Sequence, residues 1–235
     1  MQGRLDKLEK VLLQGEKIDF AQGALLASGV NAEQEFNRYL AKIDRLCQRI
    51  APSRKGDDVA VAKEIFDWLW RVKPNRYEYR GNFRLTDALE AQLGERERVG
   101  NCLGLTLLYN VLAPRFGLQV RAAHLEHAFG IGPHVFSVLY VRGHSTDVEN
   151  ILPYGFDYKG HLGNPLREEW DDRELIADIY HSVANDFFGL GNWESAIENY
   201  EKAIRLNPKY TKAYLNKGIA LVELGKIEEA MEWFR

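Results

Sequence analysis

Leu5, Leu8, Leu12 and Leu13 recur among charged residues over the first twenty positions and predict an amphipathic helix. Apolar residues keep helical spacing from Ile18 to Leu26, and Gly29 ends that run. The next face is Phe36, Leu40, Ile43, Leu46 and Ile50, with Asn31 as N-cap and Pro52 as stop. Asp57 or Asp58 caps a further helix that buries Val61, Ile65, Trp68 and Leu69. Residues 73–81 read as a loop, and Thr86 caps a short helix to Gly94. The run 102–112 is apolar and predicts a helix that Cys102 opens. Pro114 lacks an N–H and ends or kinks that helix near Ala113, and Gly117 closes the segment. The period then changes to two. Leu118–His124 and His134–Val141 alternate like strands, Gly143 turns the second, and Asp147–Ile151 predicts a short third. Residues 152–169 hold two prolines and three glycines and read as an irregular surface segment or linker.

The C-terminal part repeats itself. Tyr180 and Tyr214, Ala184 and Gly218, Gly191 and Gly225, Ala196 and Ala230, and Tyr200 and Phe234 are each 34 residues apart. That period, with small residues where helices cross and Pro208 after the second helix, is the signature of the tetratricopeptide repeat. One complete repeat spans 177–210, and a second, incomplete one spans 211–235. Such stacks need several repeats and a polar cap. This end is therefore expected to continue in a longer chain, dock on the first domain, or pair with another copy. The domains read from sequence are 1–170 and 171–235.

Composition narrows the classes. The 235 residues are 46% hydrophobic and 28% charged, enough for a sizeable core in an ordinary globular protein. Net charge is −3 and basic residues lie among acidic ones, which argues against a nucleic-acid groove or an anionic-lipid surface. No apolar stretch reaches membrane-spanning length, and no secretory signal is visible. Two cysteines make no disulfide framework, so a cytoplasmic location with reduced thiols is expected.

The candidate chemistry centres on Cys102. It opens the apolar helix after Gly100-Asn101, where backbone N–H groups and the helix dipole favour a thiolate. Cys47, on a helix face with no histidine near it in sequence, reads as structural. His134 begins an alternating strand suited to hold a base beside a helix terminus, and His127 is the second choice over His124. Asp147 follows as orienter of the imidazole, with Glu149 or Asn150 as alternatives. Cys102, His134 and Asp147 thus supply, in chain order, a nucleophile, a base and a group that fixes the ring tautomer. A metal site from His124, His127 and His134 has no recognised zinc spacing and is the weaker reading. No phosphate-binding loop occurs and no cofactor is expected. Phe66, Trp68, Trp70, Tyr77, Tyr79 and Phe83 read as core and loop packing.

The block from Arg98 to Val120, followed by His134-Val-Phe-Ser-Val and Asp147, resembles the transglutaminase-like superfamily. The helical leader and the repeat tail are similar to its SirB-type branch, in which members often lack the cysteine. The resemblance implies an α+β fold: a helical leader, a papain-like core with a small antiparallel sheet, and an all-α helical-hairpin tail. It further implies Cys102 as nucleophile, His134 as general base and Asp147 as orienter. The Cys102 N–H would help hold an oxyanion, with Asn101 the candidate side chain. The expected activity is hydrolysis or acyl transfer at amide bonds of a peptide or protein, the tail binding a protein or peptide partner. The alternative is a non-enzymatic interaction scaffold.

Overall fold

The computed structural model describes residues 3–52 and 57–233. Two compact units emerge: residues up to Glu33 together with those from Asp172 onward, and Gln34–Asp171. The contact pattern therefore differs from a simple division at 170/171, because the first two helices pack on the repeat segment.

In the first unit, α1 (Gly3–Leu13) and α2 (Phe20–Ala27) join α7 (Asp172–Gly189), α8 (Trp193–Leu206), α9 (Thr211–Glu223) and α10 (Ile227–Trp233). Asp19 caps α2 by accepting from Gln22 N. Glu9 of α1 accepts from Tyr180 Oη at 2.7 Å and pairs with Lys202 Nζ at 3.2 Å, which fastens α1 to α7 and α8. Ala184, Ala196, Tyr200 and Ala220 form a buried cluster against Phe187, Phe188 and Ile197. The alanines sit where α7, α8 and α9 cross, which is why small residues recur at the repeat period. Phe234, the repeat partner of Tyr200, lies outside the described residues.

The second unit holds α3 (Glu33–Ile50), which begins at its boundary, then α4 (Asp58–Val72), α5 (Leu85–Leu93) and α6 (Cys102–Leu112). Asp57 caps α4 through Ala60 N. On α3 the buried row includes Tyr39 rather than Leu40, and on α4 Phe66 and Trp70 are buried in place of Val61 and Trp68. Thr86 lies inside α5 rather than capping it; Arg84 precedes that helix without a side-chain cap. A 3₁₀ turn at Ala113–Phe116 carries Pro114 out of α6, and Gly117 closes it.

Four antiparallel strands follow in sheet order β3–β2–β1–β4: β1 (Gln119–Ala128), β2 (Gly132–Val141), β3 (His144–Val148) and β4 (Arg167–Trp170). The strand expected at Asp147–Ile151 lies earlier, and β4 arises from the stretch read as a linker. Helix α6 is bound to the sheet by a buried polar chain. Ser137 Oγ donates to Asn110 Oδ1 at 2.6 Å, Asn150 Nδ2 donates to Ser137 Oγ at 2.8 Å, and Thr106 Oγ1 donates to the Val135 carbonyl at 3.2 Å. Each member is partnered, so the chain fixes the register of α6 on β2 without leaving a bare polar atom among them. Among the described residues no helix is long and apolar enough to cross a membrane.

Candidate functional site

Cys102 is the first residue of α6, half-buried, behind an N-cap at Asn101 whose Oδ1 accepts from Gly104 N at 3.1 Å. That bond fixes the amide by its oxygen; the group able to donate to an oxyanion is Nδ2. The loop at Asn82 presses on this helix start. Asn82 O accepts from Asn101 N at 2.9 Å, and a Cβ at Gly104 would lie 2.5 Å from the same oxygen. Only glycine fits there.

The Cys102 thiol lies beside the imidazole of His134, both lining one cleft, and acts on it electrostatically. On the same ring, Nε2 lies 2.7 Å from Glu149 Oε2. His134 is 2% exposed and Glu149 0%. Burial works against a charged imidazole, but the Cys102 and Glu149 contacts outweigh it and push the His134 pKa up to about 9. Burial likewise opposes an ionised Glu149, yet hydrogen bonds from His134 and His161 hold it below the usual carboxylate range. Near neutral pH the pair is an imidazolium and a carboxylate.

Asp147 does not take the expected place. It stands opposite Val138 in the β2–β3 register, four residues along β2 from His134, roughly 13 Å away. Its carboxylate is instead held by Arg167, Nη1 to Oδ2 at 2.7 Å and Nη2 to Oδ1 at 2.9 Å. Glu149 follows the last residue of β3; carrying the Ser137–Val148 register one step on sets it opposite Phe136, on the face of Asp147 and diagonal to His134. Asn150 points the other way, into the Ser137 chain. His124 stacks on Trp170 at 4.2 Å between ring centroids, and His127 is exposed. Neither joins His134.

One residue that sequence reasoning passed over does join it. His161, in the irregular segment before β4, sets Nε2 2.8 Å from Glu149 Oε2. His134, Glu149 and His161 are the one group of metal-ligating side chains gathered among the described residues. Their N···O distances of 2.7 and 2.8 Å are those of direct hydrogen bonds. Ligands around zinc, each about 2 Å from the ion, would stand roughly 3.3 Å apart. Cys47 is different in kind: burial pushes its thiol up to about 11, against the pull of Arg115. A thiol held up in this way is a poor nucleophile near neutral pH.

A cleft of about 290 Å³ opens over Cys102 and His134, walled by Tyr77, Tyr79, Arg80, Ile131 and Pro133. Tyr79 Oη donates to the Ile131 carbonyl at 2.8 Å and ties the β1–β2 turn to the loop before α5. Tyr77 and Tyr79, expected only to pack, thus flank the thiol. The arrangement can draw a proton from a thiol, hold it on an oriented imidazole and admit a ligand from one side.

A family model for the tetratricopeptide repeat matches residues 184–225. The tail is a tetratricopeptide repeat. An uncharacterized protein of Methanocaldococcus jannaschii is 43% identical over 64 residues, which are 27% of this chain and 74% of the archaeal protein. The two belong to one family. Human zinc finger CCCH domain-containing protein 7B is 38% identical over 60 residues, 26% of this chain but only 6% of that protein. Among solved structures, menin, described with its binding site for Mixed Lineage Leukemia protein, aligns with 99% of this chain and 68% of its own. The TM-score is 0.56 at 13% identity, a likeness of fold alone.

Proposed function

We propose that this chain is a cysteine-dependent hydrolase or acyltransferase of the transglutaminase-like type, acting on amide bonds of a peptide or protein. The observation that carries this reading is a single imidazole, His134, which shares a cleft with the Cys102 thiol and is hydrogen-bonded to a buried carboxylate, Glu149. The proton resides on His134 from the outset, as an imidazolium paired with the Cys102 thiolate, and that thiolate attacks the carbonyl carbon of the amide. The backbone N–H at the start of α6 is the donor this reading assigns to the oxygen that gains charge. The imidazolium then gives its proton to the departing amine, leaving a thioester. Water or a second amine attacks that thioester, His134 taking the proton of the attacking group, and the thiol is restored. Glu149 fills the role expected of Asp147. The repeat tail brings the protein substrate or a partner, and a reducing compartment such as the cytoplasm keeps both thiols free.

Alkylation by iodoacetamide over graded pH, read by mass spectrometry on the Cys102 peptide, tests this. His134→Ala is expected to move the midpoint upward. A Cys102 midpoint near that of a free thiol, unmoved by His134→Ala, would sink the catalytic reading.

A second reading, a protein-binding scaffold, is favoured by the repeat and by apolar residues exposed on it. Leu215, Ile219 and Val222 of α9 and Ile227 and Met231 of α10 all face solvent. Menin's described binding of another protein is consistent with such a role. The test is a pull-down with the full chain against a Leu215→Glu, Ile219→Glu double variant. Identical sets of captured proteins would remove its support.

A further inference from the structure

The acid limb of the proposed chemistry depends on how Glu149 is kept ionised. Its carboxylate is fully buried, so every lone pair it lacks a donor for is costly. Oε2 receives both imidazoles, His134 at 2.7 Å and His161 at 2.8 Å, and Oε1 receives Ile151 N at 3.3 Å. A carboxylate oxygen only accepts, so Nε2 of His161 carries the proton of that contact.

The His161 ring is itself held in place. Its centroid lies 4.6 Å from that of Phe136, 4.8 Å from Tyr158 and 5.3 Å from Phe129, the last two edge-on. It is 5% exposed. Phe136 belongs to β2, and Tyr158 to the same irregular segment as His161, so a strand and a loop converge on one donor. Packing alone requires only a flat ring. It does not require a nitrogen aimed at the same oxygen that orients His134.

We propose that His161 is a positioning residue of the Cys102 site, donating to Glu149 so that the carboxylate stays ionised and directed at His134. This rests on the Cys102–His134–Glu149 reading above. His161 stands behind the carboxylate, outside the walls of the cleft, and acts through Glu149. Without its hydrogen bond the buried anion is less stable, and Glu149 takes up a proton at higher pH. His134 then loses its counter-charge, and the thiolate–imidazolium pair forms only at higher pH.

Two variants of the full chain separate donor from filler. His161→Phe keeps the ring and removes the donor; His161→Gln keeps an N–H and removes the aromatic packing. The readout is the pH midpoint of iodoacetamide alkylation on the Cys102 peptide, with circular dichroism confirming the fold. His161→Phe should raise the midpoint by about one pH unit, the size expected for one hydrogen bond to a charged group. His161→Gln should stay near the unmodified chain. If both variants leave the midpoint unmoved while His134→Ala shifts it, His161 only packs and this proposal is overturned alone. It is overturned equally if His161→Gln shifts the midpoint and His161→Phe does not. If His134→Ala also leaves it unmoved, the catalytic reading falls and His161 falls with it. Added zinc that slows alkylation stoichiometrically, through the two histidines, would overturn it in favour of a metal site.

Discussion

The imidazole of His134 and the carboxylate of Glu149 meet at 2.7 Å on a diagonal of the sheet, not across one of its rungs. The geometry explains why a long carboxylate is needed there. A diagonal neighbour stands roughly 7–8 Å away at Cα, beyond the reach of a shorter side chain.

That pair makes stability depend on pH in a defined direction. The His134 pKa is raised from 6.5 to about 9, so its contribution is complete below 6.5 and lost as pH rises through 9. Glu149 is depressed below 4.5, so its contribution is complete above that value and lost as pH falls further. Stability from the pair is therefore greatest between these limits. Urea unfolding is expected to show a loss on the order of 3 kcal/mol between about pH 6 and pH 10. Glu149→Gln should flatten that slope. An unchanged slope in the variant would assign the pH dependence to other groups.

Asp147 is expected to be structural. Arg167 holds it with two hydrogen bonds and also lies over the Phe136 ring at 5.4 Å, so the pair clamps β4 to β3 across two strands. Asp147→Asn should cost roughly 2 kcal/mol of unfolding free energy. The pH midpoint of Cys102 alkylation should not change. A shift of that midpoint comparable with Glu149→Gln would return Asp147 to the site.

The sequence made the helices and strands legible because their periods are clean, and Cys102 stood out because a thiol followed a capping asparagine. His134 was legible from the strand it begins. Asp147 and Glu149 were not separable, since residues two apart share a face and only the β2–β3 register decides between them. His161 was hidden for another reason. It lies in a stretch with no period, where proline and glycine mark a loop but say nothing of what the loop covers. The polar residues Thr106 and Asn110 inside the apolar run of α6 were an available signal: spaced i, i+4, they share the face that meets Ser137 and Asn150.

Gly155 offers a test of that covering loop. Its carbonyl accepts from Glu149 N at 2.8 Å, and a Cβ on it would lie 1.9 Å from the Glu149 carbonyl oxygen. The oxygen is backbone and a Cβ is fixed rigidly to its Cα, so neither can swing aside. Gly155→Ala is expected to displace the turn that carries Glu149 and to cost about 1–3 kcal/mol. It should also raise the pH midpoint of Cys102 alkylation, because the carboxylate moves with its backbone. Thermal unfolding and the alkylation profile measure the two effects on one sample. Loss of stability with an unmoved midpoint would show that Glu149 does not tune the thiol.

The repeat unit makes its own prediction. Ala196, on α8, is fully buried in a cluster with Ala184 of α7 and Tyr200. Helices that cross on alanine approach too closely to admit a longer side chain. Ala196→Leu is therefore expected to cost about 1–3 kcal/mol. In a chain of this length that lowers Tm by several degrees, at about 2–4 °C per kcal/mol. Glu223→Leu, at an exposed position near the end of α9, should change stability by no more than about 0.5 kcal/mol. Differential scanning calorimetry distinguishes them. Equal shifts in the two variants would mean that helix crossing at Ala196 does not limit how closely the repeat packs.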